Sequence, residues 1–158
     1  MREGLRGDYR KLALAGYFRR LVAELAPMGE ECRAWYEELR RRLDSCASLT
    51  SGQETASPLL GFELEVLRLS GLAPDFSKFD KNAEWSAFSL ETGAFGSNNG
   101  RCIRVSREVA EYLANGAKNS KNSQIPLDAA RVIGVFYQFH LDCASDVRRT
   151  VLEMISSK

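Results

Sequence analysis

Residues 58–71, PLLGFELEVLRLSG, decide the fold, because they predict a helix that is apolar around most of its circumference. Its two apolar stripes are Leu60, Leu64 and Leu67 on one side and Phe62, Val66 and Leu69 on the other. They leave Glu63, Glu65 and Arg68 for solvent. Ser57 and Pro58 supply a cap and a first-turn proline, and Gly71 ends the helix. A helix of this kind is typically central in a bundle.

Amphipathic helices are predicted on both sides of this central helix. Apolar residues recur at steps of three and four over residues 5–26 and 30–49, with Pro27 between the two segments. Ser106 is predicted to cap a helix that stops at Asn115-Gly116. Pro126 opens a longer helix, whose core stripe is predicted to be Val132, Val135, Phe136, Phe139 and Cys143. A short last helix over Val147–Ile155 is expected to show Arg148 and Arg149 on its exposed face.

Residues 75–104 interrupt the helical pattern. They contain an aromatic piece at 85–90, a predicted turn at Glu91-Thr92-Gly93 and the run Gly96-Ser97-Asn98-Asn99-Gly100. We expect an irregular insertion with at most a short hairpin. The fold class is therefore mainly α, a bundle of about six helices with one small irregular insertion.

Composition places the chain among ordinary globular proteins. Of its 158 residues, 44% are hydrophobic and 27% are charged, which disfavours a disordered protein. No apolar run approaches the roughly 20 residues that a bilayer span needs, so we expect a cytoplasmic protein of one domain over residues 1–158. The net charge of +1 is too small to indicate nucleic-acid binding. An acidic middle third separates two mildly basic ends, so a basic face would be local.

Side chains that might carry chemistry are few. No two of Cys32, Cys46, Cys102 and Cys143 are separated by the two-residue gap of metal knuckles, so we expect thiols without disulfides. His140 and Cys143 are three residues apart on a predicted helix, which is compatible with a metal, but no third ligand is near. A packed or hydrogen-bonded histidine is the favoured interpretation, and an enzyme is disfavoured.

An ordered set of motifs resembles the C-terminal helical domain of the RecO recombination mediators, over about residues 5–156. The set comprises Leu5–Tyr9 running into Ala15-Gly16-Tyr17, the central helix ending at Gly71 with Pro74 after it, Phe88-Ser89 followed by Glu91-Thr92-Gly93, and Pro126–Leu141 with its Phe139-His140-Leu141 end. In that family an OB fold precedes the helical domain, and we expect it to be absent from this chain. The gene sequence upstream of Met1 is the observation that tests this expectation.

The resemblance places a zinc site of two Cys-x-x-Cys pairs in the insertion of many family members. The corresponding positions here are Phe79, Asn82, Ser97 and Gly100, none of which is a thiolate, and Cys102 lies two residues out of register. We therefore expect no zinc and no other cofactor. Aromatic packing is expected to replace the metal, through Phe76, Phe79, Trp85, Phe88 and Phe95.

The resemblance implies a non-enzymatic mediator of DNA repair and recombination. Such a protein loads recombinase onto single strands coated by single-strand-binding protein, anneals strands and works with RecR. Its helical domain is implied to dock RecR and the acidic, aromatic-ended tail of single-strand-binding protein, with auxiliary DNA contact. Candidate contacts are Arg68, Arg101, Arg104, Arg107, Lys118, Lys121, Arg148 and Arg149. Two alternatives are a structural adapter that keeps the fold but has lost mediator activity, and a small enzyme.

Overall fold

The computed structural model of the chain describes residues 8–29, 32–49, 56–96, 100–117, 120, 122, 124–141 and 145–156. Six helices lie in these residues: α1 Tyr9–Leu25, α2 Arg33–Ser48, α3 Ala56–Leu69, α4 Arg107–Ala114, α5 Gln124–His140 and α6 Ser145–Ser156. Three strands, β1 Trp85–Ser89, β2 Ala94–Phe95 and β3 Cys102–Ser106, lie between α3 and α4. The predicted helical bundle with a small insertion is confirmed. No helix in these ranges is long and apolar enough to cross a membrane.

Helix α3 is the centre of the bundle, as its two apolar stripes predict. It packs against α2 and α5, and its Phe62 ring lies 4.2 Å, centroid to centroid, from the Phe18 ring of α1. The prediction for its start was wrong, because the helix already includes Ala56 and the Ser57 hydroxyl bonds Tyr112 Oη at 2.7 Å. The prediction that Glu63 faces solvent was also wrong, since Glu63 is fully buried.

Helices α1 and α2 follow the predicted amphipathic pattern. The α1 side chains Leu14, Phe18, Leu21 and Val22 are buried, and Trp35 of α2 is buried with them. Lys11 is also buried on α1, where its ammonium group donates to the carbonyl of Leu49 just after α2. On α2, Arg42 donates a hydrogen bond to Gly61 O of α3 at 2.9 Å.

Helix α5 presents a different face to the core from the one predicted. Its buried residues are Pro126, Ala129, Ala130, Ile133, Phe136 and Tyr137. Of the predicted stripe only Phe136 is buried, whereas Val135 is 41% and Phe139 is 36% exposed. The buried face combines two alanines with Ile133, Phe136 and Tyr137, whereas Val135 and Phe139 are exposed and Val132 is partly buried. Cys143, the last member of the predicted stripe, lies outside the described residues.

The insertion is more regular than predicted. It forms a three-stranded antiparallel sheet in the order β2-β1-β3, and the β1–β3 register runs from Trp85 opposite Ser106 to Ser89 opposite Cys102. The turn at 91–93 is confirmed, and it joins β1 to β2. Ser106 ends β3 and caps α4 as predicted, because its hydroxyl accepts from Val109 N at 3.4 Å.

Candidate partner and nucleic-acid interface

The basic residues of the insertion lie along β3 and are exposed. Arg104 projects from β3 over the indole ring of Trp85, with its guanidinium carbon 5.3 Å from the ring centroid. Arg107 follows β3 directly, and its side chain approaches Lys81 O at 3.5 Å. Arg101 precedes β3. The structure therefore places Arg104 on β3 and the predicted Arg101 and Arg107 directly before and after that strand, while Lys118 and Lys121 lie outside the described residues.

Alternation along the strands separates two faces of the sheet. The inner face carries Phe88, whose ring contacts Phe136 of α5 at 5.8 Å between centroids. The outer face, defined by Trp85, Ala87, Cys102, Arg104 and Ser106, points away from that contact. Trp85 is 46% exposed on this outer sheet face. An accessible aromatic ring with a cation above it is thus built into the insertion.

A second accessible aromatic group lies on α5. Val132, Val135 and Phe139 recur at helical spacing on its outer edge, and we call these three residues the α5 stripe. The guanidinium carbon of Arg101 lies 5.9 Å from the centroid of the Phe139 ring. The exposed members of the α5 stripe, Val135 and Phe139, therefore form an apolar surface with a cation at one end, and Val132 is partly buried against the core.

His140 is held by packing and by a hydrogen bond, as predicted. Its Nε2 lies 2.6 Å from Leu90 O, and its ring lies 4.4 Å from Phe136 and 4.9 Å from Phe139 between centroids. These contacts attach the end of α5 to the end of β1. His140 therefore positions Phe139 beside the sheet. Among the described residues, no three His, Cys, Asp or Glu side chains form a group that could hold a metal ion.

Arg148 is not on the surface, so the prediction that α6 shows it to solvent was wrong. Its Nε donates to Glu63 Oε1 at 2.7 Å, and its Nη2 donates to Glu63 Oε2 at 2.9 Å and to Ala130 O at 2.7 Å. The Tyr17 hydroxyl donates to the same carboxylate at 2.7 Å, and the Tyr137 hydroxyl donates to Glu63 O at 3.2 Å. The ion pair joins α3, α5 and α6 in the core, and of the two α6 arginines Arg149 is the exposed one.

Electrostatics keep the buried Arg148 guanidinium charged. Burial opposes ionisation of the Arg148 guanidinium, but the Glu63 carboxylate outweighs that cost and raises the pKa of Arg148. Burial and the same carboxylate raise the pKa of Tyr17, so its phenol stays protonated and donates. Glycine at position 134 is needed for this geometry, because a Cβ there would collide with Arg148 Nη1.

Arg68 lies in a shallow groove of about 300 Å³ between α2 and α3. Its guanidinium bonds Glu65 at 2.5 Å, and across the groove Arg41 bonds Glu38 at 2.5 Å. Hydrogen bonding to Arg68 lowers the pKa of Glu65, which keeps that carboxylate ionised. With Glu37 also in the lining, the groove presents three acids beside its two arginines. Arg68, a predicted contact residue, is therefore paired with Glu65.

The sequence model of the family described as recombination protein O C terminal matches residues 6–144. The chain belongs to this family. No curated protein matches the chain, and no solved structure does. Membership of the RecO C-terminal family implies a role in mediating DNA recombination and repair, and the family is one of non-enzymatic mediators.

The positions that carry zinc ligands in many RecO proteins hold other groups in this chain. Phe79 packs its ring on Phe95 at 6.1 Å, and the Asn82 backbone N–H donates to Asp80 at 2.8 Å. Gly100 has a φ of +89°, and a Cβ there would collide with the Glu91 carboxylate. A phenyl ring, an amide and a glycine do not fit a zinc ion, and Ser97 lies outside the described residues.

Aromatic rings fill the insertion, as the sequence predicted. Phe88 lies 5.2 Å from Phe76 and 5.3 Å from Phe95, and Phe76 lies 6.2 Å from Phe95, all between ring centroids. Trp85 was wrongly included in this cluster, because its ring lies on the outer sheet face under Arg104. The cluster joins the insertion to α5 through the contact of Phe88 with Phe136. In this RecO-family chain, apolar packing supports the insertion that carries Arg101, Arg104 and Arg107 in and beside β3.

Proposed function

We propose that this chain, as a single RecO-like domain, is the helical docking module of a recombination and repair mediator that acts in the cytoplasm at the nucleoid. In this proposal it binds the acidic, aromatic-ended tail of single-strand-binding protein and a RecR-like protein, and it makes auxiliary contact with single-stranded DNA. The observation that carries the proposal is the α5 stripe with Arg101 at its end, in a chain of the RecO family.

The α5 stripe suits an acidic, aromatic-ended tail because it offers an apolar surface and a cation together. Val135 and Phe139 are 41% and 36% exposed, which gives an aromatic side chain of the tail something to pack on. The Arg101 guanidinium beside Phe139 is placed to bond a carboxylate in a charge-assisted contact. Both requirements of such a tail are met within one surface.

The groove at Arg68 suits that tail less well. Its lining includes the carboxylates of Glu37, Glu38 and Glu65, and both of its arginines already bond an acid. An acidic peptide there would meet like charges and would have to displace existing ion pairs. The proposal therefore assigns the tail to Arg101 and Phe139.

Auxiliary DNA contact is proposed for the arginines in and beside β3. Arg101, Arg104 and Arg107 are exposed, and none of them has a carboxylate partner among the ion pairs of the described residues. Cations in this state can bond phosphate oxygens without breaking an existing pair. Arg149 is exposed on α6 and is a further candidate for such contact.

The docking proposal is tested by titrating the chain into a fluorescently labelled tail peptide and following anisotropy. We expect saturable binding that Phe139→Ala weakens by about 30-fold, the loss expected for a hot-spot aromatic residue. Arg101→Gln should weaken it as well. Tyr36→Ala is the matched control, because it removes a ring that is 56% exposed on α2, away from the α5 stripe.

Two results would contradict the docking proposal in different ways. If the peptide binds equally well to wild type, Phe139→Ala and Arg101→Gln, the tail site lies elsewhere on the chain. If neither the tail nor a RecR-like protein binds the folded wild-type chain, the module has no docking activity. The structural-adapter interpretation would then be preferred.

A further inference from the structure

We propose that the outer sheet face is a base-stacking site for single-stranded nucleic acid, centred on the Trp85 ring and the Arg104 guanidinium. This inference rests on the proposed function, because it gives the auxiliary strand contact a defined place. It adds the aromatic ring of Trp85 to a proposed DNA contact that otherwise consists of arginine side chains. The site is formed by two adjacent strands and does not use the α5 stripe.

The Trp85 ring is positioned for stacking by the sheet itself. Trp85 begins β1, opposite Ser106 of β3, and this pairing fixes its backbone at the edge nearest α4. A tryptophan that is 46% exposed beside a buried aromatic cluster leaves apolar area uncovered, which is unfavourable unless another group covers it. Arg104 covers part of the ring in the unbound chain, with its guanidinium carbon 5.3 Å from the centroid. A base can stack on the same ring or on the guanidinium plane.

The charge of this face favours an anionic ligand such as nucleic acid. Arg104 is joined by Arg107, one residue beyond β3, and by Lys81, whose carbonyl the Arg107 side chain approaches at 3.5 Å. Of these cations Arg104 lies over the Trp85 ring, and the exposed Arg107 follows close by in the chain. Arg107 N bonds Glu84 O at 2.9 Å, which extends the β1–β3 pairing. Cations beside a stacking ring can bond the phosphates of a strand.

A single strand fits this face better than a duplex. Bases in a duplex are stacked on one another, so their faces are not available to a protein ring without unstacking, whereas an unpaired base offers both faces. Among the residues that the structure describes, the outer sheet face presents one ring, which has room for one base, and no groove-reading element. The site is therefore tolerant of sequence and dependent on salt.

Trp85 also supplies the signal that tests the proposal. The chain has two tryptophans, and Trp35 is 4% exposed whereas Trp85 is 46% exposed. In the Trp35→Phe variant of the 158-residue chain, oligothymidylate should quench the Trp85 emission in a saturable manner. In a parallel anisotropy titration with labelled oligothymidylate, Trp85→Ala should bind about 5- to 150-fold more weakly, the range expected for loss of one stacked base.

Conservative variants separate stacking from a loss of structure. Trp85→Phe keeps a ring and should retain most of the affinity, whereas Arg104→Gln should weaken binding and lower its dependence on salt. Arg33→Gln is the charge-matched control, because Arg33 is an 85% exposed arginine on α2. Circular dichroism and thermal melting confirm that each variant is folded before it is titrated.

Three results would overturn the site, and each has a distinct meaning. If labelled oligothymidylate binds but the Trp85 emission does not change, the strand contacts another surface, and the auxiliary DNA contact survives without this site. If the strand does not bind at all, both this site and the auxiliary contact fail, while docking of the tail is tested separately. If an acidic, aromatic-ended peptide quenches Trp85 and oligothymidylate does not, the outer sheet face is a protein surface.

Discussion

Removal of Arg148 by the substitution Arg148→Met should be the most damaging charge change that the described residues allow. The guanidinium makes three hydrogen bonds at 2.7, 2.9 and 2.7 Å, two of them to the fully buried Glu63 carboxylate. In the variant, Glu63 keeps the Tyr17 hydroxyl as a donor but loses its compensating charge. Removing one partner of a buried ion pair costs about 3–5 kcal/mol.

That cost is large enough to measure without unfolding the protein. The free energy of unfolding of natural domains is about 5–15 kcal/mol. For a domain of this length, each kcal/mol of lost stability lowers Tm by about 2–4 °C. We therefore expect Arg148→Met to lower Tm by about 6–20 °C, and to lower the urea midpoint, both followed by circular dichroism. Arg149→Met is the matched control, because the neighbouring arginine is exposed and its loss should cost less than about 0.5 kcal/mol.

A double-mutant cycle identifies the pair as the cause. The double variant E63Q/R148M removes both charges, while the amide oxygen introduced by E63Q can still accept from the Tyr17 hydroxyl. It should therefore recover much of the stability that Arg148→Met loses. If the two single substitutions add without coupling, the ion pair does not stabilise the core in the way described. A loss in Arg148→Met no larger than that in Arg149→Met would refute the reasoning outright.

The other predictions concern the insertion and the thiols. Phe88→Ala should lower the free energy of unfolding by about 3–5 kcal/mol, because it opens a cavity in the aromatic cluster. Dialysis against EDTA should leave Tm unchanged. A metal analysis that finds stoichiometric zinc would contradict the absence of a zinc site. Ser106→Ala should cost about 1 kcal/mol by urea denaturation through loss of the α4 cap, and no change in the midpoint would show that the cap contributes nothing. Burial raises the pKa of the Cys46 thiol to about 11, which lowers its thiolate fraction near pH 8. Cys102 is exposed, so Cys102→Ser should remove a fast phase of reaction with a disulfide reagent and Cys46→Ser should not.

Local patterns predicted the elements well. The Ser106 cap and the turn at 91–93 follow from residues that are close in sequence, and both were found where expected. All six helices were found as well, although α3 and α5 begin before the predicted residues. The four-phenylalanine cluster was also predictable, because large rings in a short insertion have few other ways to leave water. Strand β3 was missed because its residues, Cys102–Ser106, are only recognisable as a strand once β1 lies beside them.

The errors about sites have a common physical cause. Glu63 looks exposed beside Glu65, and Arg148 looks exposed beside Arg149, until two segments 85 residues apart in the chain meet in the core. The phase of α5 was ambiguous for a related reason, since both an alanine-rich side and a valine-rich side of the helix are apolar. The side that packs is decided by how closely α3 and α4 approach, which one sequence does not state. Because the side with Ile133, Phe136 and Tyr137 packs inward, Val135 and Phe139 of the α5 stripe remain exposed.

The most direct test of the account compares two kinds of coated single strand. The 158-residue chain is titrated onto oligonucleotides saturated with intact single-strand-binding protein, or with the same protein lacking its acidic, aromatic-ended tail. The account predicts binding to the first that depends on the tail and is weakened by Phe139→Ala but not by Tyr36→Ala. Equal binding to both coatings, or no binding to either by the folded chain, would contradict the claim that this RecO-family module docks the tail.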